Sequence, residues 1–234
     1  MPDRSPTEFG ASRDSYREAV ERSIAFARTE LDFFTRAKVR ALLALVAQRV
    51  GDPSRLSFLD VGCGPGETDR FLEGRVGRLT GVDVASQLVD VAREQNPWAE
   101  YRAIRPGEPL PYPAQAFNVS FVVCVLHHVA PPQRPGLVRE MARVTRSGGL
   151  VAIFEHNPWN PLTRRAVAGC EFDEDAVLLT RREAGRLLQG SALGAIEGSY
   201  ILFFTRESAL LSRIERRLGR IPLGAQYVTS GRRG

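Results

Sequence analysis

Two signals in this chain have the residue types and spacing that binding chemistry needs. The first is Leu59-Asp60-Val61-Gly62-Cys63-Gly64-Pro65-Gly66-Glu67, and the second is Gly81-Val82-Asp83-Val84. Glycines at 62, 64 and 66 let a backbone turn sharply and approach a ligand with no Cβ in the way. A carboxylate at Asp83 can accept both hydroxyls of a ribose. Together they describe a nucleoside-binding α/β layout; a plain strand–turn–helix with glycines used for packing is the alternative. The other reactive side chains are three histidines, His127, His128 and His156, each able to exchange a proton near neutrality.

Elements must hold these residues at one edge. Ser57–Val61 reads as a short buried parallel strand and Glu67–Gly74 as the helix after it. Arg78–Asp83 is a second strand, Ser86–Glu94 a helix and Glu100–Ile104 a third strand. Arg105–Gln115 is a proline-rich loop, and Ala116–Cys124 is a nearly all-apolar, central fourth strand. Pro135–Thr145 is a helix that Ser147-Gly148-Gly149 caps, and Leu150–Glu155 is a fifth strand. Asn157–Thr180 is a long mixed insertion, followed by a helix over Arg181–Leu188. The end holds an apolar run at Tyr200–Phe204, a helix near Ser208–Leu218 and a last strand near Gln226–Thr229. Ahead of the first strand, Tyr16, Val20, Ile24, Ala27 and Leu31 recur at helical spacing, and a second helix covers roughly Thr35–Val50. Alternating strands and helices imply a doubly wound parallel sheet. Its carboxyl ends line the ligand crevice, where all three histidines fall.

The details separate two cofactors. A dinucleotide site uses G-x-G-x-x-G with a pyrophosphate at a helix N-terminus. Here the third glycine comes early and Glu67 takes the place of the next one, so a carboxylate would face the pyrophosphate. The D-x-G-x-G-x-G pattern instead resembles motif I of class I S-adenosylmethionine-dependent methyltransferases. Leu110-Pro111-Tyr112-Pro113, Val125-Leu126-His127-His128-Val129 and Arg146-Ser147-Gly148-Gly149-Leu150 are similar to further segments of the small-molecule, ubiquinone-type branch. Glu155-His156-Asn157-Pro158 resembles a narrower subgroup associated with glycolipid or natural-product clusters.

The resemblance implies an α/β, Rossmann-like seven-stranded sheet of order 3-2-1-4-5-7-6 with the last strand antiparallel. It implies cap helices over 1–50, a methyltransferase domain over 51–234 and an acceptor lid near 157–180. Carried over residue by residue, it implies a cofactor site at Asp60, Gly62, Cys63, Gly64, Gly66, Asp83, Val84, Pro106, Gly107 and Cys124. No metal is expected. Pro106-Gly107 replaces the usual carboxylate after the third strand, and Asn118 replaces an Asp that opens the fourth. Both departures leave room for altered cofactor use.

Methyl transfer from a sulfonium is an in-line displacement served by positioning and, for a hydroxyl acceptor, a base. His156 beside Glu155 is the leading candidate, then His128 and His127; the alternative is that Glu155 and Asn157 only hold the loop. Glu67 either meets the amino-acid end of the cofactor or matches a helix dipole. Cys63 and Cys124 are read as small packing residues. The expected activity is methylation of a small molecule, with a hydroxyl as the leading acceptor. The rival is a methyltransferase-like protein, cyclase or subunit, that binds the cofactor without transferring methyl.

Composition bounds the rest. A net charge of +5 rests on arginines interleaved with acids, and Lys38 is the only lysine. No basic stripe with aromatics argues for nucleic acid. Arg213, Arg216, Arg217 and Arg220 share a face opposite Leu211, Ile214 and Leu218. That face suits a membrane surface or a phosphorylated substrate, with ordinary solvation as the alternative. Three scattered cysteines argue for reduced thiols, without disulfides or a zinc site. No apolar run is long enough to span a membrane. A cytoplasmic monomer or homodimer is expected.

Overall fold

The computed structural model describes residues 13–27, 30–206 and 208–234. Seven strands form one sheet of order β3-β2-β1-β4-β5-β7-β6. They are β1 (Ser57–Val61), β2 (Arg78–Asp83), β3 (Glu100–Ala103), β4 (Phe117–Val123), β5 (Thr145–His156), β6 (Leu193–Ile201) and β7 (Gln226–Arg233). Strands β1 to β5 pair in parallel, and β7 runs antiparallel to both β5 and β6. This is the expected Rossmann-like order with its antiparallel strand.

Helices cover both faces. Helices α1 (Arg13–Ile24) and α2 (Leu31–Arg49) precede the sheet, and α3 (Ser86–Gln95) and α4 (Arg134–Val144) are crossovers. Then come α5 (Pro161–Ala168), α6 (Arg181–Gln189) and α7 (Ala209–Leu218). Alternation along the strands splits the core. Leu150, Ala152 and Phe154 pack with Val39, Leu42 and Val46 of α2. Val151 and Ile153 pack with Met141 of α4 and Leu188 of α6. A strand buried on both faces reads as a continuous apolar run, which is why β4 and β5 are legible. Local chemistry sets several helix starts. Thr180 and Glu183 form a reciprocal capping box on α6, and Asn160 Oδ1 accepts from the N–H groups of Leu162 and Thr163 at α5.

Four sequence expectations are corrected. The helix expected over 67–74 is a set of turns with one 3-10 turn at Asp69–Phe71. Glu67 is drawn to Arg17 and Arg70, whereas Asp69 is drawn inward to Tyr101, and Gly66 has a left-handed φ of +78°. Strand β5 starts at Thr145, not Leu150: the expected cap Ser147-Gly148-Gly149 is a bulge within the strand, with Gly148 at φ +76°. Strand β6 covers Leu193–Ile201, and Leu202, at φ +63°, ends it where the apolar run continues. Strand β7 extends to Arg233 because β5 pairs Ser230, Gly231 and Arg232 while β6 pairs Ser230, Arg232 and Arg233. No described helix is long and apolar enough to cross a membrane.

Candidate active site

The glycine motif crosses from β1 onto the end of β2. Gly62 N and Cys63 N both donate to Val82 O, at 2.7 and 3.0 Å. Gly64 N then donates to Asp83 Oδ2 at 2.7 Å, while Asp83 Oδ1 accepts from Ala85 N at 2.9 Å. Burial pushes the Asp83 carboxyl up, and these backbone donors oppose it. Gly62, Gly64 and Gly66 all have positive φ. A Cβ at Gly62 would lie 2.5 Å from Val125, and one at Gly66 would lie 2.4 Å from Asn96. A Cβ at Gly64 would meet nothing within 4 Å. Gly62 and Gly66 are thus needed for packing, whereas Gly64 borders open space beside a carboxylate. That open cradle, with the Asp83 carboxylate at its edge, fits a nucleoside with a sulfonium arm.

Beneath the motif sits a buried acid pair. Asp60, in β1, neighbours Asp69, which accepts from the Tyr101 hydroxyl at 2.8 Å. Burial, then the charge of Asp69, raises Asp60 far above the carboxylate range, and burial lifts Asp69 to about 6. Burial disfavours charge on both carboxyls, which suits the pair to holding a proton between them. Burial also pushes the Cys63 and Cys124 thiols up, which suits packing and not nucleophilic attack. Cys124 closes β4 at φ +58°. Val84 is half-buried beside Asp83. Pro106 and Gly107 are exposed on the turn after β3, which Ile104 N anchors to Asp83 O at 2.9 Å. Asn118 lies at the opposite, amino end of the sheet. Its Oδ1 accepts from Ser57 N and Ser57 Oγ at 3.0 and 2.9 Å, so its exchange for Asp is structural and remote from the cradle.

The three histidines converge at the carboxyl ends of β4 and β5. The His127 ring centroid is 4.0 Å from that of His128 and 5.1 Å from that of His156. Glu155, in β5, is fully buried and organises them. Its Oε1 accepts from Leu126 N at 2.7 Å, and its Oε2 meets His127 Nδ1 at 2.6 Å and accepts from His156 N at 3.3 Å. Glu155 therefore serves His127 more than His156. Burial alone would depress His127, but the charges of Glu155 and Asp173 outweigh it and hold it well above the usual range. Burial, then the neighbouring His127, pushes His128 and His156 down to about 4. Gln226 Nε2 lies 3.3 Å from His156 Nδ1.

One contributor escaped the sequence reading of roles. Asp173 Oδ1 lies 3.3 Å from His127 Nε2 and 3.4 Å from His128 Nε2. The insertion reaches there because Val177 N donates to His127 O at 2.9 Å, and Arg134 bonds both Val129 O and Val177 O. An acidic residue in a long insertion gives no local signal of this contact. Asn157 is a brace: its Nδ2 donates to Pro222 O and Gly224 O. Helix α1 closes the layer, with Arg17 on Glu67 and Asp32 and Arg22 on Glu171, and in the 3-10 turn after it (Ala25–Ala27) Phe26 lies beneath Arg165. Glu67 thus meets α1, not a helix dipole. A groove of about 480 Å³ runs between α5 and the next turn, with Asp173 in its wall. On α7, Arg213 and Arg217 are exposed, as is Arg220 just beyond it, and the side chain of Arg216 lies outside the described residues. Ile214, expected to pack, is 37% exposed, as the short helix leaves its apolar side partly uncovered.

Residues 59–153 match the family model described as a methyltransferase domain. The chain is 30% identical over 151 residues to 27-O-demethylrifamycin SV methyltransferase of Amycolatopsis mediterranei, covering 62% of this chain and 50% of that one. It spans about a third to a half of the length of the first curated relatives it matches. A solved methyltransferase of Thermotoga maritima, described as a possible histamine N-methyltransferase, superposes with a TM-score of 0.70 at 16% identity over 98% of this chain and all of that one. The [4+2]-cyclase SpnF superposes with a TM-score of 0.58 at 18% identity, over 82% of this chain and 80% of that one. Identities this low speak for the fold alone.

Proposed function

We propose that this chain, whose residues 59–153 match a methyltransferase-domain model, is a class I S-adenosylmethionine-dependent enzyme that transfers a methyl group to a small-molecule acceptor, a hydroxyl being the leading choice. The observation that carries this reading is the Gly64–Asp83 contact at 2.7 Å beside open space. Asp83 holds the ribose, and the Gly62–Gly66 backbone lets the amino-acid arm approach. When bound, the cofactor supplies a methyl group already activated on a sulfonium sulfur.

This chain's own residues supply position and proton handling. The acceptor lies between α1, the 157–180 segment and the histidine cluster. Held there, an acceptor oxygen would face the activated methyl group, and the part of these residues is to position it and to accept its proton. The hydroxyl proton passes to His156, a neutral imidazole at the end of β5. Gln226 Oε1 is buried without a partner. Turning that amide places the oxygen against Nδ1–H of His156 and leaves Nε2 as the basic nitrogen. His127 and His128 orient the acceptor's polar end.

Calorimetry with S-adenosylmethionine and S-adenosylhomocysteine tests the cofactor site. Asp83→Ala should weaken both by about ten- to a hundredfold, the loss expected for hydrogen bonds to a charged group. A folded wild-type protein that binds neither would overturn the reading. The second reading, cofactor binding without transfer, gains from the cyclase of the same fold. It would be favoured by tight cofactor binding with no labelled methyl moved to any acceptor in a panel of phenols, sugars and macrolides.

A further inference from the structure

One oxygen of Asp173 is shared by two imidazole nitrogens. Charge-assisted hydrogen bonds run at ~2.7–2.9 Å, and His127 meets Glu155 at 2.6 Å. Yet a single oxygen, Asp173 Oδ1, stands 3.3 Å from one imidazole nitrogen and 3.4 Å from the other. Ligands ~2.0–2.1 Å from one tetrahedral ion lie about 3.4 Å apart. Both separations from Asp173 Oδ1 are compatible with that spacing.

We propose that His127 Nε2, His128 Nε2 and Asp173 Oδ1 bind a divalent transition-metal cation. All three atoms lie within 4.8 Å of one another. The His127 side chain is 1% exposed and Glu155 holds its other nitrogen, the carboxylate–imidazole support that metal-bound histidines use. Asp173 and Glu155 bring two negative charges; a dication would take the place of the proton that they hold on His127, which leaves to solvent. Two nitrogens and one oxygen suit zinc, cobalt, nickel, manganese or ferrous ions in preference to magnesium or calcium. The His128 side chain is 30% exposed, so the cluster is reachable from solvent. An acceptor oxygen placed there would become more acidic, and His156 would be the imidazole left to take its proton. That last role rests on the methyl-transfer reading; the cation site does not.

The test uses tag-free, chelator-stripped protein, without cofactor or acceptor. Titration with cobalt(II), followed by its visible absorption and by competition with zinc, should show one saturable site. Asp173→Asn and His128→Gln should each weaken it by about ten- to a hundredfold at an unchanged far-ultraviolet spectrum and melting profile. His128→Gln is partly exposed and keeps the fold measurable if Asp173→Asn loosens the insertion. No saturable uptake by the wild type, or equal uptake by both variants, overturns the proposal. Cofactor calorimetry on the metal-free protein separates this failure from failure of the methyltransferase reading.

Discussion

Glu155 Oε2 stands 2.6 Å from His127 Nδ1, and its Oε1 accepts the N–H of Leu126. One buried carboxylate therefore fixes both the backbone after β4 and the ring that starts the histidine cluster. Charge outweighs burial here: Glu155 is held below the carboxylate range by His127 although its site is dry. Glu155→Gln keeps the shape and removes the charge. It should lower stability by ~2–5 kcal/mol, the scale for breaking a buried charged pair. Urea unfolding measures this, and a loss below about 1 kcal/mol would show that the charge is not needed.

Gly62 and Gly64 should respond differently to alanine. At Gly62 the new methyl meets Val125 at 2.5 Å and sits at φ +79°, so strain and crowding add to ~2–4 kcal/mol. Val125→Ala should return part of that loss in the double variant. At Gly64 only the φ of +52° is strained, about 1–2 kcal/mol. That methyl projects into the open space, so Gly64→Ala should weaken S-adenosylmethionine more than it weakens the fold. Paired melting and calorimetry read both effects.

Asp60 and Asp69 predict the sign of a pH effect. Asp60 is raised in the folded state, so the fold retains a proton that the unfolded chain releases near pH 4. The stability this proton gives is complete below that pH and is lost as pH rises toward the folded value, at up to ~1.4 kcal/mol per unit. Asp60→Asn still donates to Asp69 but has no proton to lose. Melting temperatures from about pH 5 to about pH 8 should fall more steeply for the wild type than for Asp60→Asn. Parallel curves would mean that the pair shares no proton.

Asn118 should tolerate an acid. Its Oδ1 only accepts from Ser57, and Asp accepts equally well. Asn118→Asp should leave cofactor affinity within about twofold and stability within ~0.5 kcal/mol, whereas Asn118→Ala should cost ~1–3 kcal/mol by stranding the Ser57 N–H. A large change in affinity for the Asp variant would place this residue in the cofactor's surroundings after all.

The sequence by itself determined the sheet and the cradle, because both are written in short-range terms. The apolar runs of β4 and β5 report burial on two faces, and Gly62, Gly64 and Gly66 report left-handed turns that each demand glycine locally. Asp83 follows from its place at the end of a strand. Only the tertiary structure decided the rest, because those choices are set by partners far apart along the chain. The segment after Gly66 is turned, not helical, since Arg17 pulls Glu67 outward while Tyr101 and Asp60 hold Asp69 inside. Glu155 supports His127, 28 residues away, and not chiefly its neighbour His156. Asp173 joins the histidines because Val177 docks on the His127 carbonyl. Periodicity records which face of an element is buried; it carries no record of which distant charge that face will meet.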